Sequence, residues 1–349
     1  MMQPSKEFAT QVVNKGSKCE TQFHDNLYMY VLIRICIFPN WTFLWTPFIL
    51  LNWNSQSCIY FFLAFMFSEF QCYCGQRRRK NTGQRIYGGQ ASKRNEYPWM
   101  VRLKENTHCG GALINSRWVL TSAGCVDYGH MVNGTMVPLD IDYVPDDMVV
   151  ILGDHELSDS TGDEVEMEVS KIIKHPKVTL VDGVYQFDVA LLKLKKDMDF
   201  VKHPHIRPVC LPKDSEEEYV GRRAMVTGWG MKEQDVYPDK LQFITGVVRS
   251  NLECSKMKMG CKGNTECAVS GIPDNMLCVT HHGGKICMED FGGPLVTKSD
   301  GKNYEQIGVA AFTWLGCNHT GYGGYARVTS VLSWIKDSVG TGHTDCPRK

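Results

Sequence analysis

The chain has no net charge to offer a partner: 38 Lys and Arg balance 38 Asp and Glu over 349 residues. A nucleic-acid or polyanion binder needs a basic excess, so that class is disfavoured from the outset. Also missing is any unbroken apolar run of the ~20 residues that cross a bilayer as a helix. The apolar pieces at residues 41–51 and 58–67 are too short and are separated by the polar run at 52–57. No internal repeat or low-complexity segment is present, which argues against a solenoid. Histidines are absent at ligand spacing from Cys72, Cys74, Cys261 and Cys267, so zinc has little support.

Cysteine, by contrast, is abundant. Fifteen are far more than an ordinary cytosolic enzyme carries, and they imply a disulfide framework made in an oxidising compartment. Their odd number leaves at least one thiol free or paired outside the chain. Residues 28–67 are rich in aromatic and aliphatic side chains but interrupted by Arg34, Pro39 and Asn40, after a polar leader. Three readings stay open for this region: a signal peptide from an internal start such as Met29, a membrane anchor made by residues 28–67 together, or a mispredicted first exon. Function is not read from it.

Composition shifts abruptly across residues 75–89. Downstream, short β-branched and aromatic runs recur between Gly, Pro, Asn and Asp clusters: 99–103, 111–115, 118–122, 148–152, 165–173, 190–194, 224–227, 242–248, 307–312 and 324–328. That punctuation predicts an all-β sandwich or barrel. Helical spacing is convincing at one place near the end, where Val331, Leu332, Trp334, Ile335 and Val339 share a face. The expected divisions are a leader at 1–74, a basic linker at 75–85, the main domain at 86–340 and a tail at 341–349. Within the linker, the basic run at 77–80 is expected to be solvated or protease-sensitive.

Several motifs occur in a telling order: RIYGG (85–89), CGGALINSRWVLTSAGC (109–125), IIKHP (172–176), FDVALLKL (187–194), IRPVCLP (206–212), VTGWG (226–230), IPDNMLC (272–278), EDFGGPLV (289–296) and YARVTSVLSWI (325–335). Together they resemble the trypsin/chymotrypsin serine protease family over about 250 residues. The resemblance implies two six-stranded antiparallel β-barrels with a C-terminal helix and an active-site cleft between the barrels. It also implies disulfides Cys109–Cys125, Cys254–Cys278, Cys287–Cys317 and Cys74–Cys210, the last tying the pro-segment, with Cys72 as a weaker alternative to Cys74. Cys261 and Cys267 could close a small loop of their own. Another pair common in the family is missing at both ends, with Ala224 and Thr297 in its place, which fits a shared contact. Cys19, Cys36, Cys58, Cys72 and Cys346 are left without assigned partners.

Against that resemblance, two triad positions are changed. Gly124 stands where the family has histidine and Phe291 where it has serine, while Asp188 is retained. Acyl transfer needs a hydroxyl to attack, an imidazole to take its proton and a carboxylate to orient the imidazole. Glycine and phenylalanine supply neither of the first two. His108 and His130 are wrongly placed as substitutes, and Glu289 stands at a glycine position of the oxyanion hole, where a carboxylate opposes a developing oxyanion. Asp188 is therefore expected to be a buried structural acceptor.

Other positions carried over by the resemblance include the activation site Arg85–Ile86 and the ion pair that the new Ile86 amine would form with Asp290. Lys285 or Ile286 replaces the pocket aspartate, and Trp314, Leu315 and Gly323 line the pocket wall. Residues 153–166 resemble the calcium loop, with Asp154 and Glu164 as carboxylate ligands, Glu156 and Asp159 offering carbonyls, and Thr161 in place of a third carboxylate. Asn133 and Asn318 begin glycosylation sequons.

These features predict a secreted, extracellular protease homologue that is not an enzyme. It would need no catalytic cofactor, with structural Ca²⁺ as the one candidate ion. Its expected role is to bind an active protease, its inhibitor or its substrate as a cofactor, decoy or regulator of a proteolytic or immune cascade. No clip-like cysteine knot precedes the domain. The alternatives are an active serine-type endopeptidase with unusual chemistry, and a product without a selected role. Membrane contact enters only if residues 28–67 are an anchor.

Overall fold

The computed structural model describes residues 31–36, 58–63, 73–78, 90–104, 109–132, 135–142, 144–159, 162–181, 184–230, 237–256, 259–260, 266–267, 271–282, 290–299, 302–313, 322–340 and 346–347. The chain divides into two units, Met1–Gln71 and Cys72–Lys349. In the first, Val31–Cys36 and Cys58–Leu63 pair antiparallel, with Cys36 opposite Cys58. Among the described residues no helix is long and apolar enough to cross a membrane.

The second unit holds the expected barrels. In the first barrel the strands are β1 (Met100–Leu103), β2 (Gly110–Leu113), β3 (Trp118–Thr121), β4 (Val149–Leu152), β5 (Val165–Lys174) and β6 (Ala190–Leu194). They close in the order β1-β2-β3-β6-β5-β4. The second barrel is built from β7 (Arg223–Gly228), β8 (Gln242–Arg249), β9 (Met276–His282), β10 (Pro294–Lys298), β11 (Tyr304–Thr313) and β12 (Tyr322–Arg327). Its order, β7-β8-β9-β12-β11-β10, repeats the connectivity of the first. The duplication is architectural and leaves no repeat in the sequence.

Alternation along the strands explains their composition. Leu113, Val119, Leu192 and Leu194 point into the first barrel, whereas Ala112, Trp118, Leu120 and Leu191 point the other way. That second face is also buried, because it packs with Trp99, Val296, Val309 and Ala326 between the barrels. Strands buried on both faces read as near-continuous apolar runs, as β2 and β3 do. The second barrel has its own interior of Val226, Val248, Leu277, Val279, Leu295, Ile307 and Tyr325. A C-terminal helix, Val328–Val339, seats Val328, Val331 and Ile335 in the inter-barrel core. The short helix Asn251–Ser255 starts from a capping box of Ser250 and Glu253, a signal that helical spacing over so few residues cannot reveal.

Hairpins add to the frame. Asp127–Val132 pairs with Thr135–Asp142 across the two residues 133–134, and Thr179–Val181 pairs with Val184–Gln186. Neither was legible from its composition, although Asn-Gly is the residue pair a two-residue hairpin turn prefers.

Disulfides Cys109–Cys125, Cys254–Cys278 and Cys74–Cys210 form as the resemblance implies. Closing a loop of about 15 residues, as Cys109–Cys125 does, is worth roughly 3 kcal/mol through the unfolded chain. Ala224 and Thr297 are direct partners across β7 and β10, so the two positions that lack the family's cysteines do share a contact. Cys346, left without a partner by the sequence, is disulfide-bonded and buried. Its neighbour Pro347 accepts a hydrogen bond from the Cys74 N–H, so this part of the tail belongs to the domain. The pairings Cys287–Cys317 and Cys261–Cys267 fall outside the described residues.

Candidate functional site

Asp188 lies two residues before the start of β6 and is 2% exposed. Phe187, just before it, has the unusual φ of 52°, and its ring stacks on His175 with centroids 5.0 Å apart. Trp334 of the C-terminal helix meets the same imidazole edge-on at 4.9 Å. These rings hold the turn that delivers the Asp188 carboxylate inward. Burial pushes its pKa above the usual carboxylate range, opposed by the Ser122 hydroxyl and by the backbone N–H groups of Gly124 and Ala123.

The donors come from the end of β3. Ser122 caps the 3-10 turn Ala123–Cys125, and its Oγ donates to Asp188 Oδ2 at 2.7 Å. The Gly124 N–H lies 3.0 Å from Asp188 Oδ1 and 3.1 Å from Ser122 Oγ. A Cβ built on Gly124 would sit 3.5 Å from Ser122 Oγ and 4.0 Å from Asp188 Oδ1, ordinary contact distances. Space for a side chain therefore exists beside the carboxylate, and the chain leaves it without one. Sequence reasoning anticipated a buried acceptor at Asp188 and missed Ser122. The available signal was a hydroxyl inside an apolar run, since a buried polar group needs a partner.

Phe291 arrives from the second barrel. Its carbonyl accepts from the Gly110 N–H at 2.7 Å, and its ring packs against the cluster that contains Cys109 and Cys125. The following Gly292 has φ 77°, and a Cβ there would come within 2.2 Å of the Gly110 carbonyl oxygen and 2.3 Å of Thr121 Oγ1. Only glycine permits this approach. Gly124, Asp188 and Phe291 are thus gathered where β3 and β6 of one barrel meet the loop into β10 of the other.

Asp290 accepts from the Gly230 N–H at 3.0 Å. Nearby, Tyr325 Oη and His281 Nε2 lie 3.0 Å apart at one end of the second barrel. Tyr325 is held well above its ordinary pKa, first by burial and then by the Asp290 charge. His281 was not anticipated. It follows Leu277 and Val279 on the inward face of β9, where a histidine breaks the apolar alternation. Gly323, the one pocket-wall position described, is buried and pairs with Val279.

The acidic loop is organised by cations of the chain. Asp154 binds Arg102 Nε at 2.6 Å with its side chain 3% exposed, and Glu156 faces Lys240 at 3.1 Å and Arg94 at 4.0 Å. The Glu156 carbonyl accepts from the Asp159 N–H, while Glu164 accepts from Gly162 N–H. Calcium needs six to eight oxygens turned to one centre. Among the described residues no group of three His, Cys, Asp or Glu side chains is placed to hold a metal ion, and the Asp154 and Glu156 carboxylates are engaged by Arg102 and Lys240.

The basic run at 77–80 departs from expectation at its first residue. Arg77 is largely buried and paired with Glu96 rather than solvated. Arg85, Ile86, Lys285, Ile286, Glu289, Trp314, Leu315, Thr161, Asn133 and Asn318 fall outside the described residues.

Comparison with known proteins is consistent with this frame. The chain is 30% identical over 280 residues to serine proteinase stubble of Drosophila melanogaster, covering 76% of this chain and 32% of that protein. It is 29% identical over 283 residues to transmembrane protease serine 9 of Rattus norvegicus, covering 79% of this chain and 24% of that one. The chain accordingly spans about a third and about a quarter of these two relatives. Residues 86–335 match the Trypsin family, and with the paired barrels closing in that span, the chain belongs to the trypsin family.

Proposed function

We propose that this chain acts by binding proteins rather than by cutting them. The observation that carries the reading is the hydrogen bond from Ser122 to Asp188. In a serine protease the carboxylate orients an imidazole; here Gly124 supplies no ring, and a hydroxyl has taken the donor's place. Phe291 brings a phenyl group to the nucleophile position, and a phenyl group neither attacks nor ionises. The Ser122 hydroxyl bonds the carboxylate, but at 1% exposure it is out of reach of a substrate.

The role that follows is that of an extracellular, secreted regulator. It would engage an active protease, its inhibitor or its substrate through the retained barrel surfaces, as a cofactor or decoy in a proteolytic cascade. Cleavage at Arg85–Ile86 would free an amine able to pair with Asp290, as the family's zymogen switch does. The direct test treats the purified, cleaved protein with peptide substrates and with a serine-directed phosphonate. Neither turnover nor covalent labelling is expected, and stoichiometric labelling within residues 286–296 would overturn the reading. Affinity capture from extracellular fluid with the cleaved form as bait then identifies the partner.

A further inference from the structure

Arg77 precedes the domain proper, yet its guanidinium sits in a formed box. Nε donates to Glu96 Oε1 at 3.0 Å, and Nη2 closes a second, shorter contact to the same carboxylate. The carbon of the guanidinium lies 4.7 Å from the Tyr97 ring centroid and 5.4 Å from that of Phe243. Nη1 reaches Tyr304 Oη at 3.5 Å. Glu96 is itself fixed by the Lys93 N–H at 2.9 Å, and side-chain exposure of the pair is only 14% and 9%. Ion pairing and ring stacking around a planar cation select arginine over lysine.

The backbone is held as firmly. The Arg78 N–H, which belongs to the Arg77–Arg78 peptide bond, donates to the Glu96 carbonyl at 3.3 Å, and Arg78 Nη2 donates to Pro204 O at 2.6 Å. Upstream, the Gly75 N–H donates to the Pro208 carbonyl and the Gly75 carbonyl accepts from the Tyr304 N–H, and Cys74 is bonded to Cys210. Gly75 has φ 70°, and a Cβ on it would fall 2.2 Å from the Tyr304 carbonyl oxygen, so no other residue fits.

We infer that the box formed by Glu96, Tyr97, Phe243 and Tyr304 is an arginine-binding site filled by the chain's own Arg77, and that it shields the Arg77–Arg78 bond from trypsin-like processing. A trypsin-like protease must draw the arginine side chain into its own specificity pocket and the backbone into its cleft. Arg77 cannot occupy both sites, so cleavage there tracks the fraction of molecules in which the box is open. Of the basic residues at 77–80 and Arg85, the first is withdrawn from processing. The segment carrying Cys74 stays with the barrels in any case through its disulfide to Cys210, so what protection of the Arg77–Arg78 bond adds is that residues 75–77 remain continuous with Arg78. This inference does not depend on whether the domain is catalytic.

The test is limited trypsinolysis of the full chain under native, non-reducing conditions, with each cut read by mass spectrometry and normalised to the reduced, unfolded chain. In the native wild type, cleavage after Arg77 is expected to be at least tenfold slower than in the unfolded chain, while Glu96→Gln restores at least tenfold of that rate. Tyr304→Phe, which keeps the ring, serves as a mild second variant with a smaller increase in the same direction. Cleavage after Arg77 in the native wild type as fast as in the unfolded chain would overturn the inference. So would full protection persisting in both variants, because the box would then not be its cause.

Discussion

Ser122 Oγ and Asp188 Oδ2 are 2.7 Å apart, and neither residue is more than 2% exposed. A carboxylate that the triad would use to orient histidine is here kept satisfied by a hydroxyl two residues before the histidine position. Buried charge without a partner is strongly unfavourable. The Ser122 hydroxyl and the Ala123 and Gly124 N–H groups supply that compensation where Gly124 brings no imidazole.

Ser122→Ala is accordingly expected to destabilise the protein by about 2 kcal/mol at neutral pH, the usual range for a hydrogen bond to a charged group. Thermal unfolding of wild type and variant checks it. The pH dependence has a definite sign. With its folded pKa raised, Asp188 holds more protons in the folded than in the unfolded state between the two values, so ionisation opposes folding above the folded pKa. Lowering the pH through that folded pKa neutralises the carboxylate and should shrink the penalty of the variant. A penalty that stays constant with pH would detach Ser122 from the charge.

Restoring the triad residues provides a second measurement. Gly124→His with Phe291→Ser should recover little peptidase activity, since Ser122 competes with the imidazole for Asp188 and Glu289 remains. Loss of the carboxylate's hold on the imidazole costs on the order of 10⁴ in kcat. Adding Ser122→Ala should therefore raise kcat/KM above that of the double variant. If the double variant already reaches ordinary protease rates, the hydroxyl is no obstacle.

Calcium should leave the thermal midpoint unchanged, because Asp154 and Glu156 are already paired with Arg102 and Lys240. Asp154→Ala is expected to lower stability by roughly 2 kcal/mol with or without the ion, as a charge-assisted hydrogen bond is lost. A midpoint that rises with calcium in the wild type and not in Asp154→Ala would show that the ion pair yields to the metal.

His175 predicts an acid-side sensitivity. Burial and then the Lys177 charge depress its pKa, so the unfolded chain binds this proton more readily than the folded one. The stabilisation is complete above the unfolded value of about 6.5 and declines as the pH falls below it toward the lowered folded value. His175→Phe keeps an aromatic ring against Phe187 and Trp334 and should flatten this slope in unfolding experiments between pH 7 and 5. An unchanged slope would assign it to other groups.

Much was legible before any coordinates. The apolar runs at 118–122 and 190–194, the helical spacing of Val331, Leu332 and Ile335, and the paired loss of cysteine at Ala224 and Thr297 all follow from local rules of strand, helix and cross-strand contact. The hairpin Asp127–Val132 with Thr135–Asp142 was harder to see, since its pairing is carried by backbone hydrogen bonds that Met, Gly and Pro residues do not advertise.

Local chemistry in the chain specified strands, turns, one long helix and the absence of histidine and serine at two positions, because those properties depend on residue type and near neighbours. The identity of the partners depended on folding. Ser122 reaches Asp188 across 66 positions, Arg77 reaches Tyr304 across 227, and Cys74 reaches Cys210 across 136. Barrel closure brings such groups to within a few ångströms, and no periodicity in the chain encodes which of them will meet.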